Sequence, residues 1–580
     1  MASRRYSPWA PPREPSSDRF CTPQSLPEYW SKLPAEVSLM ILDKVIEDYK
    51  FQPSIPYLRA GYATVCQEWQ PVFEQQNFRR LVLDYDRIHN LENFTAKNHR
   101  RGYLEQIFLC VRLDEYDCSV CQTKEDDDTK KRSLWELLEV LSQWTVLEPS
   151  SGRYGRSMKG LELELGAYSP SDCRHTFRDF HLEPNYPYQE TQEVQTHLDE
   201  AYHQRIEQLG SFNDQFHGWV EGRRDSESVI CLEAKQRLMG TLEIKWGRTK
   251  FGKFASFIPL PEVEVITCLL IRRQFYRKIS GYSIGKLLGQ SFTNLMEFRR
   301  EGWFDVDAQQ QLEFDEGFNR HLCHKELPSK LRNFYIFEES NNILHLPDHA
   351  AERISRRKLG QNLSHRSRLL ENISVAFLID VKDFLAQFWP LRIPNFQAPQ
   401  ASDVVPWKNL RSLTLTSESL RTSQKRIVIK NLLTTACRAV AFMPKLEVLE
   451  IWNATLKDGD PTVTGRPGIA SVFRYEYKNQ KPTITFSSNS IWLHKIVSEV
   501  LQGDVGSCWK NLLRHASGIQ LTYTFEKIRG MDWCRTYPSV MEHLKLQGRV
   551  LHELSRCQMA CENPIPREED TEPNIEPAGT

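Results

Sequence analysis

Few of the residue types that could do chemistry stand at a usable spacing. Cys118 and Cys121 form a C-x-x-C pair, and two cysteines at this spacing can bind one zinc ion. A structural zinc site needs four ligands, and no second pair follows nearby. His321, Cys323 and His324 could supply ligands, but they lie far away in the sequence. We therefore expect no metal site in this chain.

A serine between two glycines is the other candidate for chemistry. The run Gly281-Tyr282-Ser283-Ile284-Gly285 has the glycine spacing of a nucleophile elbow, with the serine at its centre. It does not follow a clear strand, as an elbow must, so we interpret it as a turn that enters a helix. The chain also has no G-x-x-x-x-G-K-[ST] phosphate-binding loop. We expect neither a catalytic centre nor a cofactor.

Charge and composition restrict the possible partners. Lys plus Arg and Asp plus Glu both number 75, and no apolar run reaches the ~18 residues of a membrane span. We therefore expect neither a nucleic-acid nor a membrane partner. A local basic cluster, Arg272, Arg273, Arg277 and Lys278, is either a solvated strand edge or a contact for an anion or nucleic acid. The 14 cysteines stand among apolar neighbours, which is typical of a reduced protein of the cytoplasm or nucleus.

Residues 33–74 hold more large apolar side chains than so short a stretch can bury. Pro34 suits the first turn of a helix, and Glu36 favours the positive end of the helix. The apolar positions 37, 41, 42 and 45 lie on one stripe at helical spacing. A second apolar segment follows at residues 58–73. The sequence predicts two or three short helices with surplus apolar surface.

This stretch resembles an F-box. Leu33-Pro34-x-Glu36-Val37-x-x-x-Ile41-Leu42 and Val65-Cys66-x-x-Trp69 correspond to the two halves of that motif. F-boxes are helical modules that dock on a Skp-type adaptor, and so on a cullin ubiquitin ligase. The alternative is an ordinary helical hairpin packed on its own domain. The resemblance implies that the following residues bind the adaptor: Leu33, Pro34, Val37, Ile41, Leu42, Val65, Cys66 and Trp69.

A strand-like pattern follows and recurs along the chain. It has the form apolar-x-x-apolar-x-apolar, which is typical of a half-buried strand. Copies begin at residues 78, 104, 158, 265, 295, 331, 370, 410 and 446. The steps between the last six are 30, 36, 39, 40 and 36 residues, which is about the length of one strand plus one helix. Polar insertions at 114–132 and 182–228 lengthen the earlier steps.

The repeated pattern resembles an irregular leucine-rich repeat solenoid; the alternative is an unrelated α/β domain. It lacks the Asn that the standard motif has after the last apolar residue, where Glu418 and Ala454 stand instead. The span 27–545 most resembles fungal F-box proteins with degenerate repeats. Marks of this resemblance include Met443-Pro444-Lys445-Leu446 and Ile451-Trp452-Asn453. The resemblance implies the fold and adaptor binding, but it implies no substrate.

The expected fold is α/β, with an N-terminal helical module, a repeat array, a closing hairpin and C-terminal helices. The hairpin joins residues 472–475 to 483–486. The predicted parts are a disordered tail (1–26), the F-box (27–76), the repeat array with its polar insertions (77–490), a helical cap (491–557) and a disordered acidic tail (558–580).

Period two along each strand indicates where a target protein binds. The apolar positions of the motif point into the array, so the intervening side chains lie on the opposite, open face. Large aromatic residues on a solvent face are enriched at binding hot spots. The expected target-binding residues are Tyr335, Phe337, Thr414, Glu450 and Trp452. The alternative is that the 182–228 insertion or the C-terminal helices fold over this face and bury them.

Two functions follow from these expectations. In the first, the chain is a non-catalytic substrate receptor of a Skp–cullin–F-box type ubiquitin ligase, with a Skp-type adaptor, a cullin and an unknown target protein as partners. In the second, it is a ligase-independent scaffold for protein–protein interaction whose N-terminal helices merely cap the array. The sequence names no target.

Overall fold

The structure is a computed structural model of the chain. It describes residues 30–50, 60–96, 100–118, 133–144, 160–178, 212–224, 230–244, 259–323, 327–340, 344–345, 357–390, 404–455, 469–479, 481–512, 520–528 and 540–562. The predicted tail 1–26, most of the tail 558–580 and most of both polar insertions lie outside these residues. The chain divides into two compact units, residues 1–79 and residues 80–580.

Unit 1 is a small helical module. A short 3-10 turn at Trp30–Lys32 precedes helix α1 (Ala35–Lys50), and helix α2 (Trp69–Asn77) follows. Leu42, Ile46 and Phe73 form its buried core. Aromatic rings complete this core: Trp69 stacks on Phe73 with ring centroids 5.3 Å apart. The small core explains why much apolar surface remains outside it.

Unit 2 is built on a 12-stranded sheet. Its strands are β1 (Arg80–Leu83), β2 (Gln106–Arg112), β3 (Leu161–Tyr168), β4 (Ile266–Ile271), β5 (Glu297–Trp303), β6 (Asn333–Glu339), β7 (Asn372–Asp380), β8 (Ser412–Thr416), β9 (Val448–Thr455), β10 (Ile469–Lys478), β11 (Lys481–Ser488) and β12 (Thr522–Lys527). Two short two-stranded pairs lie apart from it: Trp219–Val220 with Arg223–Arg224, and Thr241–Leu242 with Lys278–Ile279.

The strands stand in the sheet in the order of the sequence, β1 to β12. β1 to β9 pair in parallel, and the predicted hairpin β10–β11 adds two antiparallel pairings. All nine copies of the apolar pattern begin at or within three residues of a strand start, which confirms them as strands of an α/β fold. The helical cap predicted for 491–557 is wrong in part, because β12 lies within it and pairs with β11.

Helices connect the strands. The α-helices of unit 2 are α3 (Tyr85–Thr95), α4 (Arg100–Tyr103), α5 (Ser133–Leu141), α6 (Leu232–Leu238), α7 (Gly281–Lys286), α8 (Ala308–Phe318), α9 (Arg357–Arg366), α10 (Val381–Phe384), α11 (Arg426–Val440), α12 (Ile491–Gln502), α13 (Asp504–Leu512), α14 (Gln547–Val550) and α15 (Glu553–Glu562). Two of them, α7 and α8, continue into π-helical turns at Leu287–Ser291 and Asn319–Cys323. Within the described part of the chain, no helix has the length and apolar character that crossing a bilayer requires.

The first face of the sheet packs on most of these helices and forms the main core. Leu413 and Leu415 of β8 are fully buried there beside Ile373, Val375 and their equivalents in neighbouring strands. Helix α11 contributes Ile429, Leu432, Leu433 and Ala436 to the same cluster. The apolar positions of the repeated pattern therefore fill one continuous core, as the spacing predicts.

The second face of the sheet is covered as well. Side chains of β6, β7, β9 and β10 form a separate buried cluster with a segment from the end of the chain. We call residues 540–559 the C-terminal segment; its members in this cluster are Val540, Met541, Leu544, Val550, Leu551 and Met559. Both faces of this part of the sheet are thus buried from solvent.

Leu413→Ala tests the strand register. Leu413 is fully buried in the first-face core, so its truncation leaves a cavity and should lower the free energy of unfolding by about 2–5 kcal/mol. Ile491→Ala is the matched control, because Ile491 is 80% exposed and surface truncations stay within about 0.5 kcal/mol. Urea denaturation measures both. Equal midpoints for the two variants would contradict the register.

Candidate functional site

The residues predicted to bind a target are buried. Tyr335, Phe337, Thr414, Glu450 and Trp452 are each at most 5% exposed. The alternation of side chains along each strand correctly predicted that they lie on the face opposite the main core. The prediction that this face is open is wrong. The C-terminal segment packs on it, which is the alternative that the sequence left open. As the molecule stands, these side chains contact their own chain and not solvent.

Glu450 holds the C-terminal segment to the sheet. Its Oε1 accepts hydrogen bonds from Arg474 Nε at 2.7 Å and from the backbone N–H of Lys545 at 2.8 Å. Its Oε2 accepts from the backbone N–H of Leu546 at 3.0 Å. The carboxylate is fully buried, so its charge is stabilised only by these donors. The residue is therefore an internal anchor.

Further polar contacts continue along the same segment toward the middle of the sheet. Arg299 of β5 donates to the backbone oxygen of Gly548 at 2.9 Å and stacks over Tyr335 at 4.5 Å. Arg549 hydrogen-bonds Ser412 of β8. The segment is thus tied to strands on both sides of β7, so apolar and polar contacts both hold it against the second face.

The basic cluster at the end of β4 is neither solvated nor open to an anion. Its four side chains are buried, and each forms an ion pair with a buried carboxylate. The pairs are Arg272 with Glu164 at 2.6 Å, Arg273 with Glu339 at 2.7 Å, Arg277 with Asp172 at 3.1 Å and Lys278 with Asp305 at 2.6 Å. Both interpretations from the sequence were wrong, because they did not include the carboxylates of neighbouring strands and loops.

Ser283 has a structural role. It lies in the first turn of α7, where the backbone N–H of Ile244 and the hydroxyl of Ser280 both hydrogen-bond its Oγ, at 3.0 and 2.9 Å. Ser280 also caps this helix by accepting from the backbone N–H of Ser283. The expected turn into a helix is confirmed.

The predicted adaptor-binding residues differ in how far they are exposed to solvent. Leu33, Pro34, Val37, Ile41 and Val65 are exposed. Cys66 and Trp69 are half-buried; the Trp69 ring packs in the aromatic core of unit 1. Leu42 is buried in that core, so it is not available to a partner, contrary to the prediction.

Helix α1 exposes two large apolar residues that the motif did not indicate, Leu39 and Met40. Met40 is 70% exposed on α1. It lies three residues after Val37 and next to Ile41, so the three side chains share one side of the helix. We call Leu33, Val37, Met40 and Ile41 the apolar surface of unit 1. Its side chains are large and lie over a module whose core is already filled.

A cysteine and two histidines converge in unit 2. Ligand atoms of Cys118, His175 and His217 all lie within 4.8 Å of one another, and Cys118 Sγ is 3.3 Å from His217 Nε2. Asp214 accepts from His217 Nδ1 at 2.6 Å. Burial raises the pKa of the Asp214 carboxyl, but the hydrogen bond and charge of His217 outweigh this effect and lower the pKa overall.

Sequence reasoning missed this cluster. The C-x-x-C spacing of Cys118 and Cys121 was visible, but the two histidines come from different loops far along the chain. Cys121 itself lies outside the described residues. The signal that could have found the cluster is that β2 and β3 are parallel neighbours, since the loops after neighbouring parallel strands meet at the same edge of a sheet.

Comparison with known proteins gives one family. A family of unknown function, DUF6546, matches residues 326–552, which is less than half of the chain. The matched part runs from just before β6 to the middle of the C-terminal segment, so it includes strands β6 to β12 and most of the segment that covers the second face. No curated protein matches the chain.

Glu450→Gln should loosen the C-terminal segment. The amide keeps the size of the side chain but leaves Arg474 without its buried counter-charge, which typically costs about 3 kcal/mol. Amide hydrogen exchange should therefore become faster in residues 540–559 while the exchange of β8 stays slow. Glu447→Gln is the control, because Glu447 forms an exposed pair with Arg411. Unchanged exchange of the segment in the Glu450 variant would contradict the anchoring role.

Proposed function

We propose that this chain is a non-catalytic substrate receptor of a Skp–cullin–F-box type ubiquitin ligase. Residues 27–76 act as the F-box and bind a Skp-type adaptor, which connects the chain to a cullin. Unit 2, as an irregular leucine-rich-repeat-like array, holds the target protein. The receptor acts by proximity: it holds the target beside the ligase, which raises the effective concentration of the target there.

One observation carries the proposal: unit 1 exposes large apolar side chains although its core is complete. Leu42, Ile46 and Phe73 are buried in that core, while Val37, Met40 and Ile41 of the same module face solvent. Exposed apolar groups of this kind mark interaction sites. A helix that presents anchors at positions i, i+3 and i+4 suits docking into an apolar groove.

Unit 2 supports the receptor proposal through its topology. Parallel strands in sequence order with helices between them are what a repeat array of strand–helix units produces. The second face of the sheet is covered by the C-terminal segment, so we place target binding on the loops at the strand ends. The compartments that fit this role are the cytoplasm and the nucleus.

The second candidate is a ligase-independent interaction scaffold. It is favoured by unit 2, whose C-terminal segment already covers the second face of strands β6, β7, β9 and β10 without a partner. Co-purification of the adaptor distinguishes the two functions. A receptor should co-purify with the Skp-type adaptor, whereas a scaffold should co-purify with its other partners and not with the adaptor.

Adaptor recovery tests the proposal. Leu33→Ala with Pro34→Ala, and separately Met40→Asp, should each abolish co-purification of the Skp-type adaptor. Both change exposed side chains, so the core of unit 1 stays intact, and circular dichroism should show unchanged helix content.

Ile491→Ala is the control for this experiment, since it removes an equally exposed apolar side chain from unit 2. It should recover as much adaptor as the unaltered chain. Undiminished adaptor recovery by the unit 1 variants would refute the F-box assignment, and absence of the adaptor from the unaltered chain would favour the scaffold.

A further inference from the structure

The Cys118 cluster is held by a frame of hydrogen bonds. Cys118 lies in the loop after β2, and Tyr116 of the same loop donates its backbone N–H to Ser171 Oγ at 3.0 Å. The Tyr116 hydroxyl donates to Asp172 Oδ1, also at 3.0 Å. Asp172 is in turn paired with Arg277. The loops that carry Cys118 and His175 are therefore fixed to each other and to the chain after β4.

His217 reaches the same place from the long insertion. It ends the 3-10 turn Gln215–His217, which Asp214 caps by accepting from the backbone N–H of His217. The same carboxylate accepts from the Nδ1 of this histidine. Because Nδ1 carries the proton, Nε2 is the unprotonated ring nitrogen, and it lies 3.3 Å from Cys118 Sγ. The tautomer is therefore the one that can bind a metal through Nε2.

His175 has the same arrangement. Its ring donates a hydrogen bond to the backbone of Tyr116. Metal-binding histidines typically donate their other N–H to a carboxylate or a backbone carbonyl. Both histidines of the cluster do so.

The Cys118–His217 distance fits one small ion. In a tetrahedral zinc site, bond lengths of about 2.3 Å to sulfur and 2.0 Å to nitrogen separate the two ligand atoms by roughly 3.5 Å. The Cys118 Sγ to His217 Nε2 distance is 3.3 Å, and all three ligand atoms lie within 4.8 Å of one another. A thiolate with two imidazoles is a donor set that suits zinc better than magnesium or calcium, which prefer oxygen.

We propose that Cys118, His175 and His217 bind a zinc ion as three of its four ligands, with a water molecule in the fourth position. The ion joins the loops after β2 and β3 to the turn at Gln215–His217, and so ties the long insertion to the edge of the sheet. Asp214 is a positioning residue that orients His217. The sequence places Cys121 at C-x-x-C spacing from Cys118, but the proposal rests on the three described ligands.

The same residues could form a different site. Cys118, His217 and Asp214 have the order of contacts of a cysteine nucleophile, its base and an orienting carboxylate. The position of His175 argues against this interpretation. A second imidazole beside the same thiol can serve as a ligand in a metal site, but it has no role in a catalytic triad. The chemistry of the Cys118 thiol separates the two possibilities.

Metal content is the first test. The full chain, expressed with zinc and dialysed without a strong chelator, should contain stoichiometric zinc by mass spectrometry. Cys118→Ser and His217→Ala should lose it, and Asp214→Asn should bind zinc about 10- to 100-fold more weakly. His365→Ala is the control, since His365 is exposed on α9, and it should keep its zinc. Absence of zinc from the unaltered chain, or full zinc in Cys118→Ser, would overturn the proposal.

Two measurements on the unaltered chain do not depend on the folding of a variant. Replacing zinc with cobalt should give the thiolate charge-transfer band and the strong ligand-field bands of tetrahedral cobalt. Zinc should also protect Cys118 from iodoacetamide, and a chelator should remove this protection. Fast alkylation of Cys118 with or without zinc would indicate the nucleophile instead.

Cys508 serves as the internal reference for alkylation. It lies on α13, where the hydrogen bond from Cys437 lowers the pKa of its thiol to about 7, and it belongs to no metal cluster among the described residues. Its rate of alkylation should be the same with zinc and with chelator. A change at Cys508 equal to the change at Cys118 would show general unfolding, and the protection result would then count against a local zinc site.

Discussion

The contact of Glu450 with the C-terminal segment is the interaction on which the second face of the sheet depends. A buried carboxylate is costly unless every oxygen is satisfied, and here the segment supplies two of the three donors through its own backbone. Once the segment is in place, Phe337 and Trp452 lose their contact with water. The polar anchor and the apolar cluster both need this segment, so its docking forms the two together.

This dependence restricts where unit 2 can bind a partner. A protein that used the second face would have to compete with a segment that is covalently attached and therefore always at high effective concentration. It would also have to satisfy Glu450 and Arg474 in place of the backbone donors. The strand-end loops carry no such penalty, and they are where insertions and the Cys118 cluster occur.

Buried ion pairs organise the carboxyl ends of the central strands. Arg300 of β5 donates to Glu338 of β6 at 2.8 Å, and both are nearly inaccessible; Arg273 pairs with Glu339 beside them. Such pairs add little net stability, since the loss of hydration offsets most of the attraction. Losing one partner, however, leaves a buried charge alone. These ion pairs therefore determine which loop packs on which strand. An example is Asp172, which pairs with Arg277 and accepts a hydrogen bond from Tyr116.

Several parts of the fold were predictable from the sequence because the information is local. Each copy of the apolar pattern spans only six residues, and so the strands and the hairpin β10–β11 were found at nearly their true positions. What covers a face is not local: period two shows that Trp452 and Leu449 point to opposite sides, but the side chains that bury Trp452 come from residues 540–559. The same limit applies to the Cys118 cluster, whose ligands come from three separate loops.

The two units differ in where their large apolar side chains lie. Unit 2 buries even charged residues, with Glu450 fully covered and Arg273 almost so, although single apolar side chains such as Ile491 and Leu369 stay exposed on its surface. Unit 1 leaves Met40 and Val37 in solvent beside a filled core. Packing pressure does not explain this exposure, because polar residues at these positions would leave the core unchanged. The adaptor contact that we propose would account for it, since a helix with apolar residues on one side suits docking into an apolar groove.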